Sequence, residues 1–169
     1  CLLSLPIAVR QPQDADFFTG FFTATSAACV TGLIRVDTYT HWSFFGQAVI
    51  LGLIQVGGIG FMTLCISIMT ITKRKIGLVS RSLMQNSVSA PQIGGIVKMT
   101  RFIIIGTFLI ESIGAVLLSF HFCPMFGLKK GIWYSIFHSI SAFCNAGFDL
   151  MGTVQPFSSL TGELGNWYV

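Results

Sequence analysis

Charged residues are scarce in this sequence. Ten Lys and Arg and six Asp and Glu make up 9% of its 169 residues, while apolar residues account for 53%. An ordinary soluble domain carries about 25% charged residues. The composition therefore excludes an ordinary soluble domain and indicates a membrane protein.

Motifs of catalysis and cofactor binding are also absent. Nothing in the sequence resembles a catalytic triad, a carboxylate pair or a P-loop. Gln55 and "VGGIG" (residues 56–60) resemble a glycine-rich nucleotide loop only superficially, because no strand precedes them and the GxGxxG register is missing. We therefore expect a protein that is not an enzyme and that holds no covalent cofactor.

The cysteines and histidines show no disulfide or metal-binding pattern. Five cysteines occur without a CxxC pair: Cys1, Cys29, Cys65, Cys123 and Cys144. We expect them to be free thiols that pack as small apolar side chains. His41 and His121 are interpreted as interfacial residues and His138 as a packing residue. The alternative is a membrane-embedded cofactor-binding or redox subunit that uses Cys29, Cys144 and His138, although no spacing matches a known site.

The net charge of +4 comes from basic residues that are concentrated in one segment. Residues 73–101 contain six of them: Lys73, Arg74, Lys75, Arg81, Lys98 and Arg101. Loops rich in Lys and Arg stay on the cytoplasmic side of a membrane. We therefore predict a cytoplasmic linker here and no nucleic-acid partner, with Lys129 and Lys130 on the outer side as an exception to the rule.

Two long apolar runs predict membrane-spanning helices. Residues 43–72 contain no charged residue, and residues 102–122 contain a single acid, Glu111. About 20 apolar residues suffice to cross a bilayer. Five glycines in the first run suit close contact with neighbouring backbones: Gly46, Gly52, Gly57, Gly58 and Gly60. An acid inside a span is a functional candidate, so Glu111 is either a functional acid or a protonated or hydrogen-bonded packing residue.

Two shorter apolar runs, residues 16–29 and 131–144, are too short to span a membrane. Runs of 10 to 14 apolar residues are more typical of re-entrant or interfacial helices. Asp14 and Asp16 suit the start of the first helix, because carboxylates there meet unpaired amides and the positive dipole end. Both short runs fall on the outer side in this topology, and residues 1–9 would be the outer end of an earlier span.

The two short runs repeat each other at a shift of 115 residues. "FFTATSAACVTGL" (residues 21–33) aligns with "IFHSISAFCNAGF" (residues 136–148). Five positions are identical: Phe22 with Phe137, Ser26 with Ser141, Ala27 with Ala142, Cys29 with Cys144, and Gly32 with Gly147. The order of elements repeats as well, since each short helix is followed by a glycine break and an apolar run.

A short helix that enters a membrane from outside points its negative C-terminal end inward, where it favours a cation. The non-helical residues that follow must line a water-filled path or be buried in protein. Rings of backbone carbonyls can replace the hydration shell of an ion, and glycine permits the conformations that aim them. We predict that eight residues bind an ion through such carbonyls: Cys29, Val30, Thr31, Gly32, Cys144, Asn145, Ala146 and Gly147. Asn145 stands at the position of Val30, and we expect its side chain to brace the loop.

Three segments together resemble one transporter family. "TATSAACVTGL", "FGQAVILGLIQVGGIGFMT" and "FHSISAFCNAGFDLMG" are similar to the ion-translocating subunit of the Ktr branch of the Trk/Ktr/HKT superfamily of potassium transporters. The likeness covers nearly the whole chain. It implies an all-α membrane protein in which four non-identical repeats of span, pore helix, filter loop and span surround one potassium-channel-like pore. Gly32 and Gly147 would occupy filter glycine positions.

The resemblance implies that the chain is a fragment holding about one and a half of the four repeats. Residues 1–72 would contain the end of a first span, a pore helix, a filter loop and a second span. Residues 73–101 would be the cytoplasmic linker, and residues 102–169 the first span, pore helix and filter loop of the next repeat. Within the linker, residues 80–97 are either a plain connector or part of a surface that contacts a regulatory ring.

The resemblance also implies the function. The expected activity is potassium uptake across the plasma or inner membrane by a multi-pass subunit, with sodium coupled as in a symporter or acting as a stimulant. Some plant relatives have a serine at the first filter glycine and prefer sodium, so Gly32 favours potassium. The expected partners are the lipid bilayer, a second copy of the full-length subunit in a homodimer, and a cytoplasmic nucleotide-binding regulatory ring.

Overall fold

The computed structural model of the chain describes residues 2–60, 63 and 96–153. The α-helices bounded within these ranges are α1 (Phe17–Ala28), α2 (Thr38–His41), α3 (Phe44–Ile59), α4 (Ile96–Phe126) and α5 (Leu128–Phe143). Short 3-10 helices cover Leu2–Ser4, Pro6–Ala8, Pro12–Asp14 and Met151–Thr153. An isolated bridge between Val9 and Trp42 is the one β-pairing in these ranges, so the described part is all-α as predicted.

Helix α1 begins where Asp16 caps it. The Asp16 carboxylate accepts hydrogen bonds from the backbone N–H groups of Phe18 at 3.2 Å and Thr19 at 3.1 Å, and from the Thr19 hydroxyl at 2.9 Å. Aspartate at this position satisfies amide groups that have no partner inside the helix. The predicted acidic start is confirmed at Asp16, whereas Asp14 ends the preceding 3-10 helix.

Residues 2–8 form two 3-10 helices and not the end of an α-helical span. Pro6 starts the second of these helices, and proline has no N–H group to donate to an α-helical hydrogen bond. The Ala8 carbonyl accepts a hydrogen bond from the N–H group of Ser43 at 2.9 Å. This segment is therefore tied to the start of α3, and its assignment to the outer end of an earlier span stays a prediction.

Helix α3 covers the first part of the span predicted over residues 43–72. Its 16 residues end at Ile59, because Gly60 has a φ of +87° and leaves the helical region. A helix of this length is about 24 Å long, whereas the hydrocarbon core of a bilayer is about 30 Å thick. The predicted helix is thus interrupted at Gly60. Of the residues predicted to follow, 61, 62, 64–72 and the linker residues 73–95 lie outside the described ranges.

Helix α4 is long and apolar enough to cross a membrane over Met99–Phe126, and it is the one such helix in the described part of the chain. It includes the second predicted span, residues 102–122. Nine of its large apolar side chains are more than half exposed: Phe102, Ile105, Phe108, Leu109, Ile110, Ile113, Val116, Leu117 and Phe120. In a membrane, such a surface would face lipid tails or neighbouring helices.

Helix α5 follows α4 after Gly127, whose φ of +80° turns the chain. It includes most of the second short run predicted over residues 131–144. Phe122 of α4 and Tyr134 of α5 are fully buried, and the Tyr134 ring lies 4.9 Å from the ring of Phe126. Aromatic contacts therefore join the end of α4 to α5.

The chain divides into two compact units. One comprises Cys1–Gly58 with Glu111–Val169, and the other comprises Ile59–Ile110. The contacts that build the candidate functional site all lie within the described residues of the first unit.

Candidate functional site

The C-terminal ends of α1 and α5 have the same backbone hydrogen bonds. At the end of α1, the N–H group of Val30 donates to the Ala27 carbonyl at 3.2 Å, and that of Thr31 donates to the Ser26 carbonyl at 3.0 Å. This pair of bonds is the Schellman motif, which satisfies carbonyls that have no partner at a helix end.

The same two bonds recur 115 residues later. Asn145 donates to the Ala142 carbonyl at 3.0 Å, and Ala146 donates to the Ser141 carbonyl at 2.7 Å. The repeat found in the sequence therefore extends to the backbone of both helix ends. We refer to residues 29–32 as the first glycine loop and to residues 144–147 as the second glycine loop.

Each glycine loop contains two residues with positive φ. The angles are +55° at Val30 and +70° at Gly32 in the first loop, and +54° at Asn145 and +71° at Gly147 in the second. Glycine adopts this region freely and asparagine tolerates it, but a β-branched residue there is an outlier. A left-handed conformation costs such a residue about 1–2 kcal/mol, so Val30 is held under strain.

The two glycine loops lie against each other. A Cβ atom added to Gly32 would come within 2.6 Å of the Ala146 carbonyl oxygen and 3.3 Å of the Gly147 Cα atom. Ala146 is buried, whereas Thr31 and Gly147 are exposed. A side chain at position 32 would thus require a left-handed conformation and would also displace the backbone of the second loop.

Equivalent serines brace the two loops in different ways. The Ser26 hydroxyl lies 2.8 Å from the hydroxyl of Thr31. The Ser141 hydroxyl donates instead to the backbone carbonyl of Phe148 at 2.6 Å, because the residue that corresponds to Thr31 is Ala146 and has no hydroxyl. The sequence alignment identified both serines as identical positions but did not reveal this role.

Asn145 and the two cysteines have distinct roles in the backbone of the loops. Within the described residues, the Asn145 side chain makes no hydrogen bond, and its suitability for positive φ accounts for its presence. Cys29 and Cys144 are the C-cap residues of α1 and α5. Together with Cys123 they are free thiols, which confirms the prediction for the cysteines that the structure describes.

His138 holds the chain that follows the second glycine loop. Its Nε2 atom accepts a hydrogen bond from the N–H group of Leu150 at 3.2 Å. The Nδ1 atom lies 2.8 Å from the Tyr134 carbonyl and therefore carries the ring proton that this carbonyl accepts. Both ring nitrogens are occupied, which leaves neither for a metal. In the described part of the chain, no group of three or more His, Cys, Asp or Glu residues is placed to bind a metal ion, so nothing there favours the alternative of a Cys/His cofactor site.

Glu111 is 4% exposed and is held by a side chain of α3. The amide nitrogen of Gln55 donates to its two carboxylate oxygens at 2.8 and 3.0 Å. The hydroxyl of Ser139 also donates to the backbone carbonyl of Glu111 at 2.7 Å. These contacts join α3, α4 and α5 through one residue, which favours the interpretation of Glu111 as a hydrogen-bonded packing residue over that of a functional acid. No pattern in the sequence indicated that Gln55 would be its partner.

Two carboxyl groups near the ends of the short helices have opposite pKa shifts. Hydrogen bonds, first that of the Thr19 hydroxyl, lower the pKa of Asp16. Burial raises the pKa of Asp149, which follows the second glycine loop, and the hydrogen bond from the N–H group of Met151 only partly opposes this. Asp16 is therefore stabilised as an anion, whereas the ionised form of Asp149 is disfavoured.

The C-terminal end of a short helix carries a partial negative charge, so two such ends beside paired loops suit a cation. Sequence comparison identifies the class of protein. The chain matches a family described as cation transport proteins over residues 3–159. It belongs to this family, the TrkH family. Membership confirms the resemblance to Trk and Ktr proteins and the expectation that the chain is not an enzyme.

Individual relatives match nearly the whole chain. The potassium/sodium uptake protein NtpJ of Enterococcus hirae is 45% identical over 168 residues, covering 99% of this chain and 36% of the relative. The Ktr system potassium uptake protein B of Bacillus subtilis is 46% identical over 149 residues, covering 88% and 33%. The protein of the same name from Vibrio alginolyticus is 36% identical over 149 residues, covering 88% and 32%. The chain therefore spans about a third of the length of these relatives.

Proposed function

We propose that the full-length protein carries potassium into the cell as the ion-translocating subunit of a Ktr- or Trk-type system. The observation that carries this proposal is the pair of glycine loops, which share one backbone structure and lie in contact at the C-terminal ends of two short helices. Family membership supports a cation as the substrate. The names of the relatives from Enterococcus and Bacillus support potassium.

The proposed mechanism uses backbone carbonyls. The C-terminal end of each short helix carries a partial negative charge, which favours a cation at that end. Carbonyls of residues 29–32 and 144–147 would replace part of the hydration shell of a potassium ion. Two loops form only part of a ring around an ion, so equivalent loops elsewhere in the full-length protein would complete it. This is the four-repeat architecture that the family resemblance implies.

Further features of the proposal concern location and partners. We place the full-length protein in the cell membrane as a multi-pass homodimer, with α4 as one of its spans. The relatives called Ktr system proteins B and D support operation with other Ktr components, for which a cytoplasmic nucleotide-binding ring is the expected regulator. The name of the NtpJ relative includes sodium, which supports sodium as a second ion.

The test is the substitution Gly32→Ser in the full-length protein. Serine at position 32 would have to adopt a positive φ, and its Cβ atom would collide with the Ala146 carbonyl oxygen. We therefore expect the ratio of potassium to sodium uptake to fall by roughly tenfold, the change that 1.4 kcal/mol of differential ion binding produces. Uptake of each ion is measured in cells that lack their own potassium uptake systems, with the amount of protein in the membrane determined in parallel.

Gly52→Ser is the matched control for this experiment. Among the described residues, nothing beyond the neighbouring turns of α3 lies within 4 Å of a Cβ atom added to Gly52, so this variant should keep the wild-type ratio. If Gly32→Ser reaches the membrane and transports both ions in the wild-type ratio, the first glycine loop does not select the ion.

A further inference from the structure

Helix α3 has two adjacent glycines that contact the ends of two different helices. A Cβ atom added to Gly57 would collide with the Ala28 carbonyl oxygen and come within 2.8 Å of the Val30 Cγ2 atom. A Cβ atom added to Gly58 would collide with the Cys144 sulfur and come within 2.7 Å of the Cys144 Cβ atom. Carbon atoms in contact prefer a separation of about 3.5–4.0 Å, so neither position accommodates a side chain as the loops now lie.

The groups that these glycines contact lie at the C-terminal ends of α1 and α5, where the two glycine loops begin. Ala28 and Val30 flank Cys29, the C-cap residue of α1, and Cys144 is the C-cap residue of α5. One short stretch of α3 therefore packs against the end of α1 and Val30 of the first loop, and against Cys144, the first residue of the second loop. Other glycines of the same helix differ. Beyond its own helix, Gly52 has no described atom within 4 Å of an added Cβ, and a Cβ atom added to Gly46 would contact the carbonyl of Ala8, which is remote in sequence from either loop.

We infer that Gly57 and Gly58 together set the separation of the two glycine loops and thereby the ion selectivity of the pore. This inference rests on the proposed function, because it takes the loops to be walls of a selectivity filter. Selectivity by carbonyl rings depends on the size of the ring and on the number and field strength of its dipoles. A side chain at either glycine displaces one loop relative to the other and changes that geometry. The two glycines are positioning residues that act through the loops and do not touch the ion.

The obstacles at the two positions differ, and this difference allows a sharp test. At Gly57 the main obstacle is a backbone carbonyl, which no substitution of a side chain removes. At Gly58 it is the side chain of Cys144, and Cys144→Ala removes its sulfur atom. Removal of the sulfur should therefore relieve the closest part of the clash of a new methyl group at position 58, although the Cys144 Cβ atom at 2.7 Å remains. It should not relieve a new methyl group at position 57.

The experiment measures potassium and sodium uptake by the full-length protein in uptake-deficient cells, together with protein abundance in the membrane. The single variants are Gly57→Ala, Gly58→Ala, Cys144→Ala and the control Gly52→Ala. The double variants combine Cys144→Ala with Gly57→Ala or with Gly58→Ala. We expect Gly57→Ala and Gly58→Ala to lower the potassium-to-sodium ratio by roughly tenfold, again the effect of 1.4 kcal/mol, while Gly52→Ala leaves it unchanged.

The two double variants separate positioning from general damage. In the Cys144→Ala background, Gly58→Ala should lower the ratio by less than in the wild-type background, whereas Gly57→Ala should have the same effect in both. Should Gly58→Ala alone fail to reach the membrane, the double variant without the sulfur atom supplies the measurement.

Each alternative result has a distinct meaning. If both glycine variants lower total uptake in proportion to protein abundance and leave the ratio unchanged, the glycines only pack and the inference is wrong. If the ratio responds to Gly32→Ser but to neither Gly57→Ala nor Gly58→Ala, the inference fails and the proposed function stands. If Gly32→Ser also leaves the ratio unchanged, the proposed function fails with it.

Discussion

At the scale of single residues, the two glycine loops differ most where Val30 stands opposite Asn145 in the alignment. Both residues have φ close to +55°, although asparagine adopts this region several times more readily than most residues. Val30 is half-buried beside Gly57, so its packing offsets part of its strain. Asn145 is exposed and has no such packing, which makes it the cleaner position at which to measure the conformational preference.

We predict that Asn145→Val destabilises the full-length protein by about 1–2 kcal/mol, the cost of a left-handed conformation for a residue with a Cβ branch. Asn145→Gly is the control, because glycine adopts positive φ without steric cost. The free energy of unfolding is measured by denaturant titration in detergent. Equal stability of the valine and glycine variants would mean that residue 145 does not need a left-handed conformation.

At the scale of elements, the two short helices end in the same motif but are joined to their loops by different hydrogen bonds. Ser26 pairs with the hydroxyl of Thr31, an exposed residue to which water has access. Ser141 pairs with a backbone carbonyl of Phe148, which is 2% exposed. A buried carbonyl that loses its donor retains its full desolvation penalty, whereas an exposed hydroxyl can bind water instead.

Ser141→Ala should therefore destabilise the protein more than Ser26→Ala. We expect a loss of about 1–3 kcal/mol for the first, the cost of an unsatisfied buried polar group, and less than about 1 kcal/mol for the second. The two variants remove the same hydroxyl from equivalent positions and so control for each other in one denaturation series. A larger loss for Ser26→Ala would contradict the assigned hydrogen bonds.

At the scale of the whole molecule, sequence patterns predicted the elements better than their contacts. Hydropathy located α1, α4 and α5, and the acidic start of α1 was correct at Asp16, because helix length and capping depend on local sequence. The end of α3 at Ile59 was missed, since an apolar run gives no sign of the positive φ of Gly60.

Contacts between distant parts of the chain were less predictable. The 115-residue repeat indicated two similar loops, and their shared hydrogen bonds follow from that similarity. The pairing of Gln55 with Glu111 joins residues 56 positions apart, and no local pattern encodes it. We expected the glycines of the first long run to contact neighbouring backbones, and Gly46 and Gly57 do so. Gly58 instead contacts the Cys144 side chain, and Gly52 has no described neighbour within 4 Å beyond its own helix.

The predicted topology is open to a direct test on the full-length protein in cells. Lys129, exposed at the start of α5, is predicted to lie outside, and Ser80 of the linker inside. In a variant without native cysteines that still transports potassium, Lys129→Cys should react with a membrane-impermeant maleimide in intact cells. Ser80→Cys should react only after permeabilisation. The reverse pattern would invert the topology and would point the short helices at the other side of the membrane.

The adjacent glycines of α3 also have a consequence for the orientation of that helix. Consecutive residues of an α-helix are about 100° apart around its axis, so Gly57 and Gly58 contact their neighbours in two different directions. Turning the helix one way would bring Val56 toward the end of α1, and turning it the other way would bring Ile59 toward the end of α5. Both side chains are too large for these contacts. The two glycines therefore determine the rotation of α3 about its own axis, which neither contact would determine alone.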